Sequence, residues 1–444
     1  MSDKKLLITA SLWVVGAFGL SQIIRLVGNL VVTRLLEPEM FGIMAIAFVV
    51  MHGLAMFSDL GLWAFIVRHK TGTDQRVLDT VWSMQLVRGW IMFIVLVFSV
   101  LFFSMLKSYS NIEFSGVYGQ EVLPLIIIIV GFTAVINGYK TMAPAILSRE
   151  LKRGRLELID LASQFFGVAA MLIWAWFSPS IWSLVSAGIF TSVISVTLTY
   201  KIFSHRNKFV WDKKIVNEVF HFGKWIFIAS VLTYIAQQGD RLFFGATISA
   251  AQLGIYSIAF MLASTVINIA QQLTSKILFP AFSKAVNDNH RRLKTVYYKA
   301  RVKLDFAVYM SAGMLYVIAP TLINILYDER YINAGWMLQI LTILIVGTSI
   351  TSVAQESLTA LGLTKVRMQV MLIRSLGLLV GLPLLFNLYG FEGAIWAVAL
   401  NPWLGLPMIY WKQHNNDLLS WIGEIKMIPT LIIGYFLGLA LINL

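Results

Sequence analysis

The 444-residue chain is 58% hydrophobic, only 13% charged and free of cysteine, with a mean hydropathy of +0.77. Soluble domains carry about a quarter charged residues, so a soluble globular protein is excluded, and the missing thiols exclude disulfides, thiol catalysis and cysteine-ligated metals. The formal net charge of +13 fits basic loops that orient a multispanning membrane protein rather than nucleic-acid binding.

Apolar runs near the roughly 20 residues that cross about 30 Å of hydrocarbon recur along the whole sequence. The first, 8–36, follows a short basic flank and runs past any plausible cleavage point, so it reads as a first span rather than a removed leader. Twelve more are expected at 41–67, 80–106, 122–148, 156–178, 180–203, 217–245, 251–277, 303–327, 334–362, 366–388, 392–411 and 427–443. With the N-terminus in the cytoplasm, the inner loops become 68–76, 149–155, 201–214, 284–303, 363–367 and 412–426, each with two or more Lys or Arg. The opposite loops carry only Lys107 and Arg330. A missed or invented span would scramble this bias from that point onward.

The sequence also repeats itself. FGIMAIAF (41–48) returns as LGIYSIAF (253–260), RVLDTV (76–81) as RRLKTV (291–296), RGRLEL (153–158) as KVRMQV (365–370) and SIWSLV (180–185) as AIWAVA (394–399), at offsets of 212 to 215. Four matches in one order divide the chain into two lobes of six helices with the same orientation. The expected domains are an N-terminal lobe 1–203, a basic linker 204–224, a C-terminal lobe 225–412, and a tail 413–444 with one further transmembrane helix. Parallel repeats of this kind are a recurring transporter design, with the substrate path between the halves.

No phosphate-cradling, zinc-protease or Asp-rich metal motif is present, and the outer loops are too short to present a catalytic site, so neither an enzyme nor a cofactor or metal is expected. The informative residues are ionisable groups within spans, each costing about 3 kcal/mol at a helix centre facing lipid. Asp59, Arg88 and Lys140 fall roughly 12 Å deep, with Asp160 shallower; Glu356 and Arg374 match them in the second half. Arg25, Arg34 and the Asp240–Arg241 pair lie toward the other side. Two readings compete: ion pairs within each lobe, Asp59 with Arg88 or Lys140 and Glu356 with Arg374, or cations that hold an anionic substrate. Arg25, Arg34, Arg88, Lys140, Arg241 and Arg374 outnumber Asp59, Asp240 and Glu356, which favours the second. Arg25 leads, because no acid on its helix lies within a turn of it and Ser21, Gln22 and Asn29 form a polar stripe. Tryptophans near span ends read as interfacial belts; Trp174, Trp176 and Tyr139 could instead stack on sugars.

TRLLEPEMFG (33–42), SDLGL (58–62) and GDRLFFGATISAAQLGIYSIAF (239–260) resemble the polysaccharide-transport branch of the multidrug, oligosaccharidyl-lipid and polysaccharide (MOP) exporter superfamily, and within it the Wzx-type oligosaccharide flippases. The resemblance implies an all-α integral membrane fold of two six-helix lobes in a V-shaped arrangement in the bacterial inner membrane. It implies a flippase for undecaprenyl-diphosphate-linked oligosaccharide, working by alternating access for O-antigen or exopolysaccharide assembly. The expected partners are that lipid-linked substrate, membrane lipids, and the polysaccharide polymerase and chain-length machinery, with no nucleic acid. Asp59, Asp240 and Glu356 would be ion-coupling or ion-pair candidates. A lipid II flippase and a multidrug exporter are the alternatives within the superfamily, and thirteen spans depart from the twelve or fourteen common in it.

Overall fold

A computed structural model describes residues 3–443 apart from 59–60, 70, 111–114, 151–153, 204–205 and 290–291; at 3–15, 107–110 and 222–229 the backbone alone is described. The described residues contain helices and no strands. They form two compact units, Met1–Tyr234 with Phe244–Leu253, and Ile235–Phe243 with Gly254–Leu444.

In the first unit α1 (Asp3–Leu35) packs along α7 (Gly154–Phe177). Ser21 Oγ donates to Gln164 Oε1 at 2.6 Å, and Gln164 Nε2 donates to the Ser21 carbonyl at 3.0 Å. Part of the polar stripe on α1 is therefore used in packing. α2 (Pro38–Phe57) begins with a proline in its first turn, where a missing N–H leaves no gap in the hydrogen bonding. It ends at Ser58, and Gly61, at φ 67°, re-aims the chain into α3 (Leu62–Arg68). The single span expected at 41–67 is thus two helices.

α4 (Gln75–Ser110) packs on α5 (Leu123–Gly138), which bends by 63° into α6 (Ala143–Arg149). α8 (Ile181–Ile202) packs on α7, and Asp212 caps α9 (Lys213–Thr247) by accepting from the Lys214 amide at 2.9 Å. Phe65 and Ile66 of α3, Leu78 and Val81 of α4, Ala145 of α6 and Val219 of α9 share one buried apolar cluster.

The second unit contains most of α10 (Ala250–Leu273), which continues through a π-helical turn at Thr274–Leu278 into α11 (Phe279–Asp288). Then come α12 (Arg292–Leu326), α13 (Ala334–Ala360), α14 (Lys365–Leu400), α15 (Leu406–His414), α16 (Trp421–Ile425) and α17 (Ile428–Ile442). The stretch expected as a loop at 284–303 is largely helix. α14 is not one rod: Gly390, at φ 65° and ψ −151°, reverses it. Across that turn Arg374 bonds Asn401, and Gly393 meets Leu385, Ala397 meets Gly381 and Gly405 meets Val370, pairs that diverge along the chain in opposite directions. The two arms are antiparallel, as expected for separate spans at 366–388 and 392–411.

α17 lies along α12. Gly434 and Gly438 face the backbone at Met310 and Met314, so closely at Gly434 that a methyl group would overlap the Met310 carbonyl. Small residues four apart let membrane helices approach backbone to backbone. Nearer the start of α12, Arg301 Nε donates to Asp305 Oδ2 at 2.8 Å, and Arg301 Nη1 pairs with Glu424 Oε2 of α16. Tyr298 Oη and Tyr410 Oη donate to the same Glu424 carboxylate at 3.0 and 2.9 Å.

Ten helical segments among the described residues are long and apolar enough to cross a membrane, or eleven if the bent α5–α6 pair is one span. The protein is a multi-pass membrane protein. With that pair counted as one span, the difference from thirteen lies in two places. The 365–414 stretch counts as one segment although Gly390 folds it into two, and α9, which carries Lys213, Lys214, Glu218, Asp240 and Arg241, supplies no qualifying window among the described residues.

Candidate functional site

An ionised group in an apolar helix is tolerated according to what holds it. Arg25 of α1 donates from Nη2 to Gln22 Oε1 at 2.7 Å, one turn earlier on the same helix, and is exposed. Arg241 of α9 repeats this: Nη1 donates to Gln238 Oε1 at 2.7 Å, and its guanidinium carbon lies 4.4 Å from the centre of the Phe260 ring. Arg374, on the first arm of α14, donates from Nε to Asn401 Oδ1 at 2.9 Å, while Asn401 Nδ2 donates to the Arg374 carbonyl at 2.7 Å. None of these three guanidiniums has a carboxylate partner among the described residues. A carboxamide oxygen satisfies one N–H and cancels no charge, so each arginine keeps its full positive charge for another ligand.

The other basic candidates are engaged differently. Arg88 of α4 donates from Nε to Ser58 Oγ at 3.0 Å and from Nη2 to the Ala55 carbonyl at 3.1 Å. It thereby covers the negative end of α2, where a cation is favoured by the helix dipole. Lys140, just after α5, lies 3.7 Å from Asp160 of α7. Arg34 is exposed in the last turn of α1.

Of the acids, Asp240 is 2% exposed; its Oδ2 accepts from Tyr256 Oη at 2.6 Å, and its Oδ1 has no hydrogen-bond partner among the described residues. Glu356 lies 3.8 Å from Arg367, and Asp59 lies outside the described residues. The pairing of Glu356 with Arg374 is therefore corrected. Glu356 near the end of α13 and Arg367 near the start of α14 flank the same turn, whereas Arg374 is drawn across the hairpin to Asn401. Lys140 likewise meets Asp160. Trp174 and Trp176 are exposed at the end of α7, and Tyr139 at the end of α5 accepts from Tyr200 Oη at its carbonyl.

Two groups escaped the sequence reading. The Arg301–Asp305–Glu424 cluster had a local signal only in the four-residue spacing of its first two members, and nothing in the sequence joined it to Glu424. Gln238 and Asn401 were not seen as arginine partners, although glutamine precedes arginine by three residues in both α1 and α9. No group of three or more His, Asp or Glu that could hold a metal ion occurs among the described residues.

The fold defined by these helices is that of the MOP transporters. A multidrug resistance MATE family transporter of the MOP superfamily, in an inward-facing conformation, aligns with a TM-score of 0.66 at 13% identity, over 93% of this chain and 98% of that one. The lipid II flippase MurJ, in an inward closed conformation, aligns with a TM-score of 0.71 at 13% identity, over 96% of this chain and 92% of that one. A family model described as "Polysaccharide biosynthesis protein" matches residues 31–335, and the chain belongs to that family. Among curated relatives, the lipopolysaccharide biosynthesis protein WzxC of Escherichia coli K12 is 20% identical over 435 residues, 94% of this chain and 84% of that protein. The chain spans 62% and 63% of the length of two other curated relatives.

Proposed function

We propose that the protein is a flippase that carries an undecaprenyl-diphosphate-linked oligosaccharide repeat unit across the bacterial inner membrane by alternating access, for O-antigen or exopolysaccharide assembly. The observation that carries this reading is that Arg25, Arg241 and Arg374 are held by amide oxygens and have no carboxylate partner among the described residues. A diphosphate presents several negative oxygens, and the guanidinium fork matches phosphate oxygens two at a time. Binding and release are all these residues need to provide, and no bond in the substrate is made or broken. The polymerase and chain-length machinery would receive the carried unit.

A cationic-drug exporter would call for surplus acid where this chain has surplus base. Family membership and the name of WzxC favour a polysaccharide precursor over lipid II. Arg25→Ala is expected to abolish surface polysaccharide while the protein still inserts, and Arg25→Lys, which keeps the charge but not the fork, to retain part of it. Quantifying surface polysaccharide at matched membrane levels of each variant is the test. Export by Arg25→Ala at the unmutated rate would overturn the proposal.

A further inference from the structure

Two of the three arginines without carboxylate partners sit in the same short pattern. QIIRL (22–26) in α1 and QGDRL (238–242) in α9 lie 216 positions apart, close to the spacing of the internal repeats. In each, a glutamine oxygen accepts from the guanidinium of the arginine one turn ahead at 2.7 Å, so each unit holds its own copy of the same device. Asn401 does the same for Arg374 from the return arm of a hairpin.

Glutamate and aspartate would be stronger partners, because they add an opposite charge and can meet the guanidinium fork with two parallel bonds, and they would offset the cost of an arginine in an apolar helix. At all three positions the neutral isostere stands instead. In α9 a carboxylate is even adjacent in sequence, yet Asp240 is directed to Tyr256 and not to Arg241.

We infer that Gln22 and Gln238 are positioning residues, neutral tethers that fix the guanidiniums of Arg25 and Arg241 without neutralising them, so that their full charge is kept for the phosphate oxygens of a phosphate or diphosphate ester. The inference rests on the proposal above that these arginines hold an anionic group, and adds to it what keeps them ready to do so. Replacing the NH2 of such a glutamine by O turns a tether into a competing anion.

The test uses the full-length protein purified in detergent, with inorganic pyrophosphate as the probe and titration calorimetry as the readout. Unmutated protein should bind, and Arg25→Ala should lose binding. Gln22→Met, which removes the acceptor and adds no charge, should weaken binding about fivefold, the worth of one hydrogen bond. Gln22→Glu, which keeps the tether and offsets the charge, should weaken it more than Gln22→Met does, by about tenfold or more. The loss in Gln22→Met with folding unchanged is what a glutamine that does not hold Arg25 would not produce, and unchanged binding by Gln22→Met would overturn the tether; the larger loss in Gln22→Glu reports that the tether has to be neutral. If Gln22→Glu binds as tightly as the unmutated protein, or more tightly than Gln22→Met, the tether inference fails while the reading of the arginines stands. If unmutated protein does not bind pyrophosphate, or Arg25→Ala binds equally well, the reading of the arginines fails first. Gln238→Glu and Gln238→Met repeat the comparison in the other unit, so that misfolding of one variant, seen by gel filtration, leaves the outcome decidable.

Discussion

A guanidinium meets two opposite fates in this protein. Arg301 is 1% exposed and shared between Asp305 and Glu424, themselves nearly as buried; it is a structural tie whose charge is spent. Arg25, Arg241 and Arg374 are held by amides and keep theirs. Removing an acceptor from a buried network leaves its donors unsatisfied, at about 1–3 kcal/mol each. Glu424→Ala should therefore lower the melting temperature of the detergent-solubilised protein, since Tyr410 loses its acceptor, Arg301 is left with Asp305 alone and Tyr298 with the Ser420 carbonyl alone, with Glu424→Gln milder. An unchanged melting temperature in Glu424→Ala would show the cluster to be dispensable. At this scale the sequence was informative about which charges lie in apolar helices and poor on who holds them. Hydropathy locates Arg374, but its link to Asn401 depends on how a hairpin closes, and Lys140 finds Asp160 on another helix.

Among the helices, what was legible was the apolar run, and what was not was the break within it. The second expected span is two helices because Gly61 takes a left-handed conformation, and the fourth bends by 63° between α5 and α6. Each break carries one ionisable residue, Asp59 or Lys140, within an otherwise apolar run, so the runs read as continuous spans with a buried charge. α17 shows the converse, a helix whose placement is written in its spacing. Gly434 and Gly438 bring it onto α12, and Gly434→Val would drive a branched side chain into the Met310 backbone. Overpacking of this kind costs about 1–3 kcal/mol. The expected result is a lower melting temperature and faster proteolysis near Trp421, measured beside Ile433→Val, whose exposed side chain should make the change neutral. Equal behaviour of the two variants would mean that the glycine seam does not hold α17.

For the molecule as a whole, the internal repeat was the most productive signal. The glutamine–arginine pattern of α1 and α9 is a further instance of it. The path of the second unit carries one more consequence. Arg301 and Glu424 touch although α12, α13 and α14 lie between them in the chain, and further along α12 and α17 residue 310 meets 434 and 314 meets 438. These pairs keep nearly the same offset, so α12 and α17 run parallel. Contact between the start of α12 and the segment before α17 demands an even number of membrane crossings from one to the other. α12, α13 and an unbroken α14–α15 stretch would give three, an odd number; the turn at Gly390 makes them four.

Because the chain has no cysteine of its own, single cysteines at Asn289 and Asn415 can be labelled without background, and both should react with an impermeant maleimide from the same face of the membrane. Labelling from opposite faces would mean that α14 crosses once and that the Arg301–Glu424 contact does not form. One glycine thus sets the parity of the chain, and with it the side of the membrane on which everything after residue 390 emerges.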